Sequence, residues 1–205
     1  ISSCVQFSGH RVYALDGCRA AWDDSTEAVP QPFLLYAGPL QYLRVFGGGQ
    51  VDFRFSAPRL SVTDGSTTII YRMVEGQPFN LDSAIPQKYV ETFSVCPQVF
   101  LDELRYLKAA APKSRTPYVY LHGNELSMTA KGRKCSTAID IDRPSGMGIG
   151  FNLCYMTDAL KPFAKQKYVT VKISGPHTPI VIEAEGRSDH AMVLPLRNGS
   201  AYAAA

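Results

Sequence analysis

Residues 147–163 read MGIGFNLCYMTDALKPF, and this stretch decides the fold. The apolar run 147–151 reads as a strand. Asn152 follows as an N-cap, and Met156, Ala159, Leu160 and Phe163 recur on one helical stripe. Pro162 ends or distorts that helix near its last turn. Downstream come three alternating segments, read as strands: Val169, Val171 and Ile173; Ile180 and Ile182; Met192, Leu194 and Leu196. Turns carrying Gly and Pro separate them. The unit is therefore strand, short amphipathic helix, then three strands.

Working outward, the same unit recurs. Residues 91–141 hold a strand at 92–95, then Pro97 in a first helical position, and a helix with Phe100, Leu104 and Leu107 inward. Three strands are predicted around Val119, over 126–130 and over 138–141, with a turn at His122-Gly-Asn. Residues 33–73 give a third copy: strand 33–36, helix 39–46, and strands around Phe53, Leu60 and Ile69, with Asp64-Gly65 marking a hairpin. The opening residues, 5–7, 12–14 and 19–22, read as the three-strand tail of a unit without its strand and helix. Two units per domain predict an α+β protein. An incomplete domain spans 1–86, a complete one 87–197, and a tail 198–205.

Composition agrees with such a chain. It has 205 residues, 45% of them hydrophobic and 19% charged, enough apolar material to bury a core and too little charge for a disordered chain. The net charge of +3 is unevenly spread: residues 1–86 carry six Arg, no Lys and eight acids, while 87–205 carry fifteen basic and ten acidic residues. A polyanion would meet the second part. No run approaches the ~18 apolar residues of a membrane span, and no signal-peptide pattern opens the chain, so a cytoplasmic protein without membrane partners is expected. A first residue Ile1 rather than Met fits a processed or partial product. Five widely spaced cysteines with no C-x-x-C pair read as reduced thiols.

Signals for catalysis are poor. Asp23, Asp24 and Glu27 sit in a Ser/Thr-bearing stretch and read as a solvated loop. The four histidines have no metal-ligand spacing, so no metal or cofactor is expected. Gly47-Gly-Gly-Gln50 lacks a following Gly-Lys-Ser/Thr and reads as a helix stop. The chain is expected not to be an enzyme.

The repeat arithmetic, with Asp16-Gly-Cys-Arg19, Gly150-Phe-Asn-Leu-Cys-Tyr155 and Met192-Val-Leu-Pro-Leu-Arg197, resembles the bacterial sliding clamp, the beta subunit of DNA polymerase III. Val74-Glu-Gly-Gln-Pro-Phe79, leading to Ile85-Pro86, is similar to the linker between that family's second and third domains. The resemblance implies clamp-type repeats equivalent to an incomplete second and a complete third domain. It implies a processivity factor that holds DNA polymerase and other replication or repair proteins on DNA. With these parts alone a two-subunit ring is not expected to close, and homo-oligomerisation is left open. The alternative is a clamp-like scaffold that binds partner peptides without encircling DNA.

Two candidate surfaces follow from the resemblance. One is a groove for short clamp-binding peptides of polymerase, clamp loader and similar partners. It would comprise Leu15, Gly17, Cys18, Arg19 and Ala20, with Phe79 and Ala84 from the linker. The second domain would add Asn152, Tyr155 and Pro179, then Met192, Val193, Leu194, Pro195, Leu196 and Arg197. An apolar cleft rimmed by Arg, Asn and Tyr donors suits Leu or Phe anchors of an extended segment. The alternation along 192–194 requires at least one of Val193 and Leu194 to be core. The other surface is cationic: Arg44, Arg105, Lys108, Lys113, Arg115, Lys161, Lys165 and Lys167 lie on or just beyond the helices. In a clamp arrangement they would meet the phosphates of double-stranded DNA without reading bases, weakly for an unclosed chain. Asp102, Glu103 and Asp158 dilute that field.

Overall fold

The computed structural model describes residues 3–24, 27–110, 117–130 and 132–196. Lys113, Arg115 and Arg197, and the tail, lie outside them. The chain divides into two compact units, Ile1–Gly17 with Trp22–Asn80, and Cys18–Ala21 with Leu81–Ala205. Among the described residues no helix is long and apolar enough to cross a membrane.

The first unit holds β1 (Cys4–Ser8), β2 (Arg11–Leu15), β3 (Arg19–Asp24, its first residues belonging to the second unit), β4 (Phe33–Tyr36), a 3-10 helix (Gly38–Phe46), β5 (Asp52–Ser56), β6 (Arg59–Thr63) and β7 (Thr68–Arg72). Its strands run in the orders β4-β1-β2-β3 and β5-β6-β7. Phe7, Phe33, Leu35, Leu60, Val62 and Tyr71 form its core, with the rings of Phe7 and Phe33 stacked 4.4 Å apart. The expected hairpin stands at Asp64, whose Oδ1 accepts the N–H groups of Ser66 and Thr67.

The second unit holds β8 (Glu91–Val95), α1 (Pro97–Ala110), β9 (Tyr118–Gly123), β10 (Glu125–Ala130), β11 (Arg133–Ala138), β12 (Ser145–Asn152), α2 (Leu153–Leu160), β13 (Val169–Ile173), β14 (Ile180–Glu183) and β15 (Asp189–Val193). Two four-strand orders result, β11-β10-β9-β12 and β15-β14-β13-β8. Helices α1 and α2 contact each other and bury Phe100, Leu104, Leu107, Met156 and Leu160 in one core with strand residues such as Val119, Phe151, Val171 and Ile182. This is the α+β arrangement of two strand-helix-three-strand repeats. Past Leu160 the chain tightens into a 3-10 turn, Lys161–Phe163, at Pro162.

Two expectations are corrected. The strand predicted over 138–141 lies instead at β11. Ala138 closes its ladder opposite Glu125, and Ile141 makes only an isolated bridge to Val95. The last strand has the opposite phase: Ala191 and Val193, opposite Ile182 and Ile180, face the helices. Met192 lies on the other face, opposite Val181, and both are buried there. Both faces of β15 are covered, and alternation cannot give the phase of a strand covered on both sides.

Candidate functional site

The chain places Cys18–Ala21 in the second unit, among residues from the far end of the sequence. Gly17, at φ 84°, turns the backbone into this segment; that left-handed conformation suits glycine. The Leu194 N–H donates to the Cys18 carbonyl at 2.8 Å, and the Leu196 N–H donates to the Gly150 carbonyl at 2.8 Å. Pro195, between them, has no N–H to offer. The segment 194–196 is thus pinned at both ends. Leu194 is 38% exposed, and Pro195 and Leu196 are half-buried.

Arg19 completes this face. Its Nη1 meets Asp158 Oδ2 at 2.6 Å, and its guanidinium lies 4.7 Å from the ring centre of Tyr155. Asp158 Oδ1 holds Lys161 Nζ at 2.7 Å, so the carboxylate carries one cation on each oxygen. Burial pushes Asp158 up. The hydrogen bonds and charges of Lys161 and Arg19 outweigh it and hold the carboxyl below its ordinary value.

Asn152 caps α2, its Oδ1 accepting the N–H groups of Cys154 and Tyr155 at 2.8 and 3.3 Å. Its side chain is buried, and Nδ2 has no hydrogen-bond partner among the described residues. That leaves an unmet donor at the start of the helix that presents Tyr155.

On the adjoining β12, Gly148 and Gly150 let two tyrosines lie across the strand. A Cβ on Gly148 would stand 1.7 Å from Tyr120 Oη, and one on Gly150 2.0 Å from Tyr118 Oη. Burial, and then the neighbouring Tyr120, push the Tyr118 phenol up.

The described groove residues thus fall into three groups. Cys18, Arg19, Tyr155, Leu194, Pro195 and Leu196 are at least partly accessible in the second unit, as are Ala84 and Pro179. Ala20, Asn152, Met192 and Val193 are buried, so the expectation that Met192 lines a cleft surface is corrected. Leu15, Gly17 and Phe79 belong to the first unit. There the Phe79 N–H donates to Gln6 Oε1, its carbonyl accepts Tyr13 Oη, and its ring is 43% exposed.

Solved structures place this architecture. The DNA polymerase III subunit beta of Borrelia burgdorferi matches with a TM-score of 0.82 at 17% identity, over 97% of this chain and 57% of its own. The beta chain of Streptococcus pneumoniae gives 0.81 at 18%, over 97% and 58%, and the sliding clamp of Bacillus subtilis 0.79 at 21%, over 95% and 56%. The chain has the sliding-clamp fold. No family model and no curated protein matches it. It spans a little over half the length of the clamp structures it matches.

Within this clamp fold, the described cations on or just beyond the helices are all exposed: Arg44, Arg105, Lys108, Lys161, Lys165 and Lys167. Arg105 pairs with Asp102 and Lys161 with Asp158. Glu103, expected to weaken the cationic field, accepts the Thr137 hydroxyl. Sequence reasoning passed over Asp158 as an anchor, because nothing local ties it to a residue 139 positions away. It also passed over the glycine and tyrosine pairs, although Gly148-x-Gly150 and Tyr118-x-Tyr120 on neighbouring strands are a legible signal.

Proposed function

We propose that the chain is a sliding-clamp polypeptide: a non-catalytic processivity factor that keeps DNA polymerase and other replication or repair proteins on DNA by holding their short peptide motifs. The observation that carries the reading is the pinned segment 194–196. Exposed Leu194 and half-buried Leu196 flank a proline there, and the Arg19–Tyr155 pair and the unmet Asn152 donor belong to the same unit. This suits an extended ligand whose apolar anchors cover the leucines beside a cationic, aromatic rim. The cations of α1 and of residues 161–167 supply a sequence-blind attraction for double-stranded DNA.

The test is a titration of the full chain with a peptide bearing Leu and Phe anchors, beside binding to duplex DNA. Affinity on the order of micromolar is expected for a flexible peptide that must be ordered on binding. Peptide binding without DNA binding would favour a clamp-like scaffold. Absence of both would remove the reading.

A further inference from the structure

Tyr155, Asp158 and Lys161 stand three residues apart along α2 and its 3-10 extension, and so share one face of the helix. Arg19 meets both Tyr155 and Asp158 there. The Asp158 carboxylate is divided: Oδ2 takes Arg19 Nη1 at 2.6 Å and Oδ1 takes Lys161 Nζ at 2.7 Å. On the proposed function these two cations serve different surfaces. Arg19 follows Cys18, whose carbonyl accepts the Leu194 N–H of the peptide face, while Lys161 opens the run of cations 161–167 that attracts duplex DNA. Solvent reaches them unequally. The Lys161 side chain is 64% exposed and that of Arg19 34%, with the Tyr155 ring against its guanidinium. An arriving polyanion therefore draws off Lys161 first.

We propose, resting on that function, that Asp158 is a positioning residue shared by the peptide face and the cationic surface, and that it couples the binding of their two ligands. While Lys161 is held, the carboxylate splits its charge between two partners. When phosphates take Lys161, that charge falls on Arg19 alone and holds the guanidinium more firmly over Tyr155, so less ordering remains when a peptide arrives. Duplex DNA and the peptide then favour each other's binding, by the same factor in each direction. Exposed ion pairs are individually weak, so the factor is about two- to fivefold.

The experiment titrates the full chain with a capped, uncharged peptide bearing Leu and Phe anchors, with and without a short duplex, at low salt where duplex binding is strongest. The wild type should bind the peptide about two- to fivefold more tightly when the duplex is present. Lys161→Ala should give a similar gain without duplex and no further gain with it. Asp158→Asn should weaken the peptide several-fold and abolish the effect of the duplex, and adding Lys161→Ala to it should change nothing more. Lys88→Ala removes an exposed cation of the same unit outside both surfaces and should leave peptide affinity unchanged, which separates the ion pair from overall charge. Thermal melts of each variant keep folding separate from binding. A duplex that lowers peptide affinity would overturn the coupling. So would Lys161→Ala and Asp158→Asn that shift peptide affinity in the same direction, or not at all. A wild type that binds only one of the two ligands, or neither, fails at the function proposed above and takes the coupling with it; one that binds both without mutual effect overturns the coupling alone.

Discussion

Arg19 and Asp158, 139 residues apart in sequence, meet at 2.6 Å in the second unit, and the guanidinium also covers Tyr155. The pair is partly exposed, so it contributes at most about 1 kcal/mol to stability. It fixes the planar cation against the Tyr155 ring, and Cys18, the residue before Arg19, accepts the Leu194 N–H. Replacing Arg19 with Ala should therefore leave the denaturation midpoint almost unmoved and weaken binding of a Leu/Phe-anchored peptide several-fold. Unchanged peptide affinity would detach Arg19 from the proposed face.

The same pair sets an acid response. Asp158 titrates below its ordinary value of 3.8 in the folded chain, because Lys161 and Arg19 outweigh the upward push of burial. A depressed carboxylate contributes stability that is fully present above the unfolded value and is lost as pH falls through the folded one. The contribution should therefore be constant from neutrality to about pH 5 and disappear below the ordinary carboxylate range. Comparing stability against pH for the wild type and Asp158→Asn checks this: the variant's acid limb should be shallower, and identical curves would contradict it.

Met192 and Leu194 should separate core from surface. Met192 is 3% exposed, so Met192→Glu buries a charge and should cost more than about 3 kcal/mol, unfolding the unit or nearly so. Leu194→Glu, at a partly exposed position, should keep the native circular dichroism and weaken the peptide about tenfold, roughly 1.4 kcal/mol. A stable Met192→Glu would return that residue to the surface.

Gly150→Ala should destabilise the second unit by roughly 1–3 kcal/mol, since the new methyl group meets the Tyr118 ring. Tyr118→Ala in the same chain should recover part of the loss. Gly148→Ala should cost less, because Tyr120 is 38% exposed and can swing toward solvent. Thermal melts of the three variants beside the wild type measure the ordering.

Duplex binding, where it occurs, should fall steeply with salt and be indifferent to sequence. Lys161, Lys165 and Lys167 changed together to Glu should abolish it, as read by fluorescence anisotropy at two salt concentrations. Undiminished binding would move the contact off this surface.

Much of the architecture was legible because its signals are local. Asn152 before an apolar stripe, Pro97 at a helix start and Asp64-Gly65 at a turn each act within a few residues, and each stands where the spacing placed it. The misplaced third strand after α1 and the inverted phase of β15 share another cause. In both places several consecutive residues are apolar or small, and only the neighbouring strands choose which of them pair and which way they face.

The sequence by itself determined the repeat, and with it the α+β class, because alternation and helical stripes follow from where a backbone of given geometry must bury its apolar side chains. Only the tertiary structure decided that Arg19 rests on Asp158 and Tyr155, that Cys18 and Gly150 pin the segment around Pro195, and that Met192 is buried while Leu194 is not. Each of those depends on two elements far apart in the chain coming to one place. That depends on how strands pair and layers stack, which no window of neighbouring residues encodes.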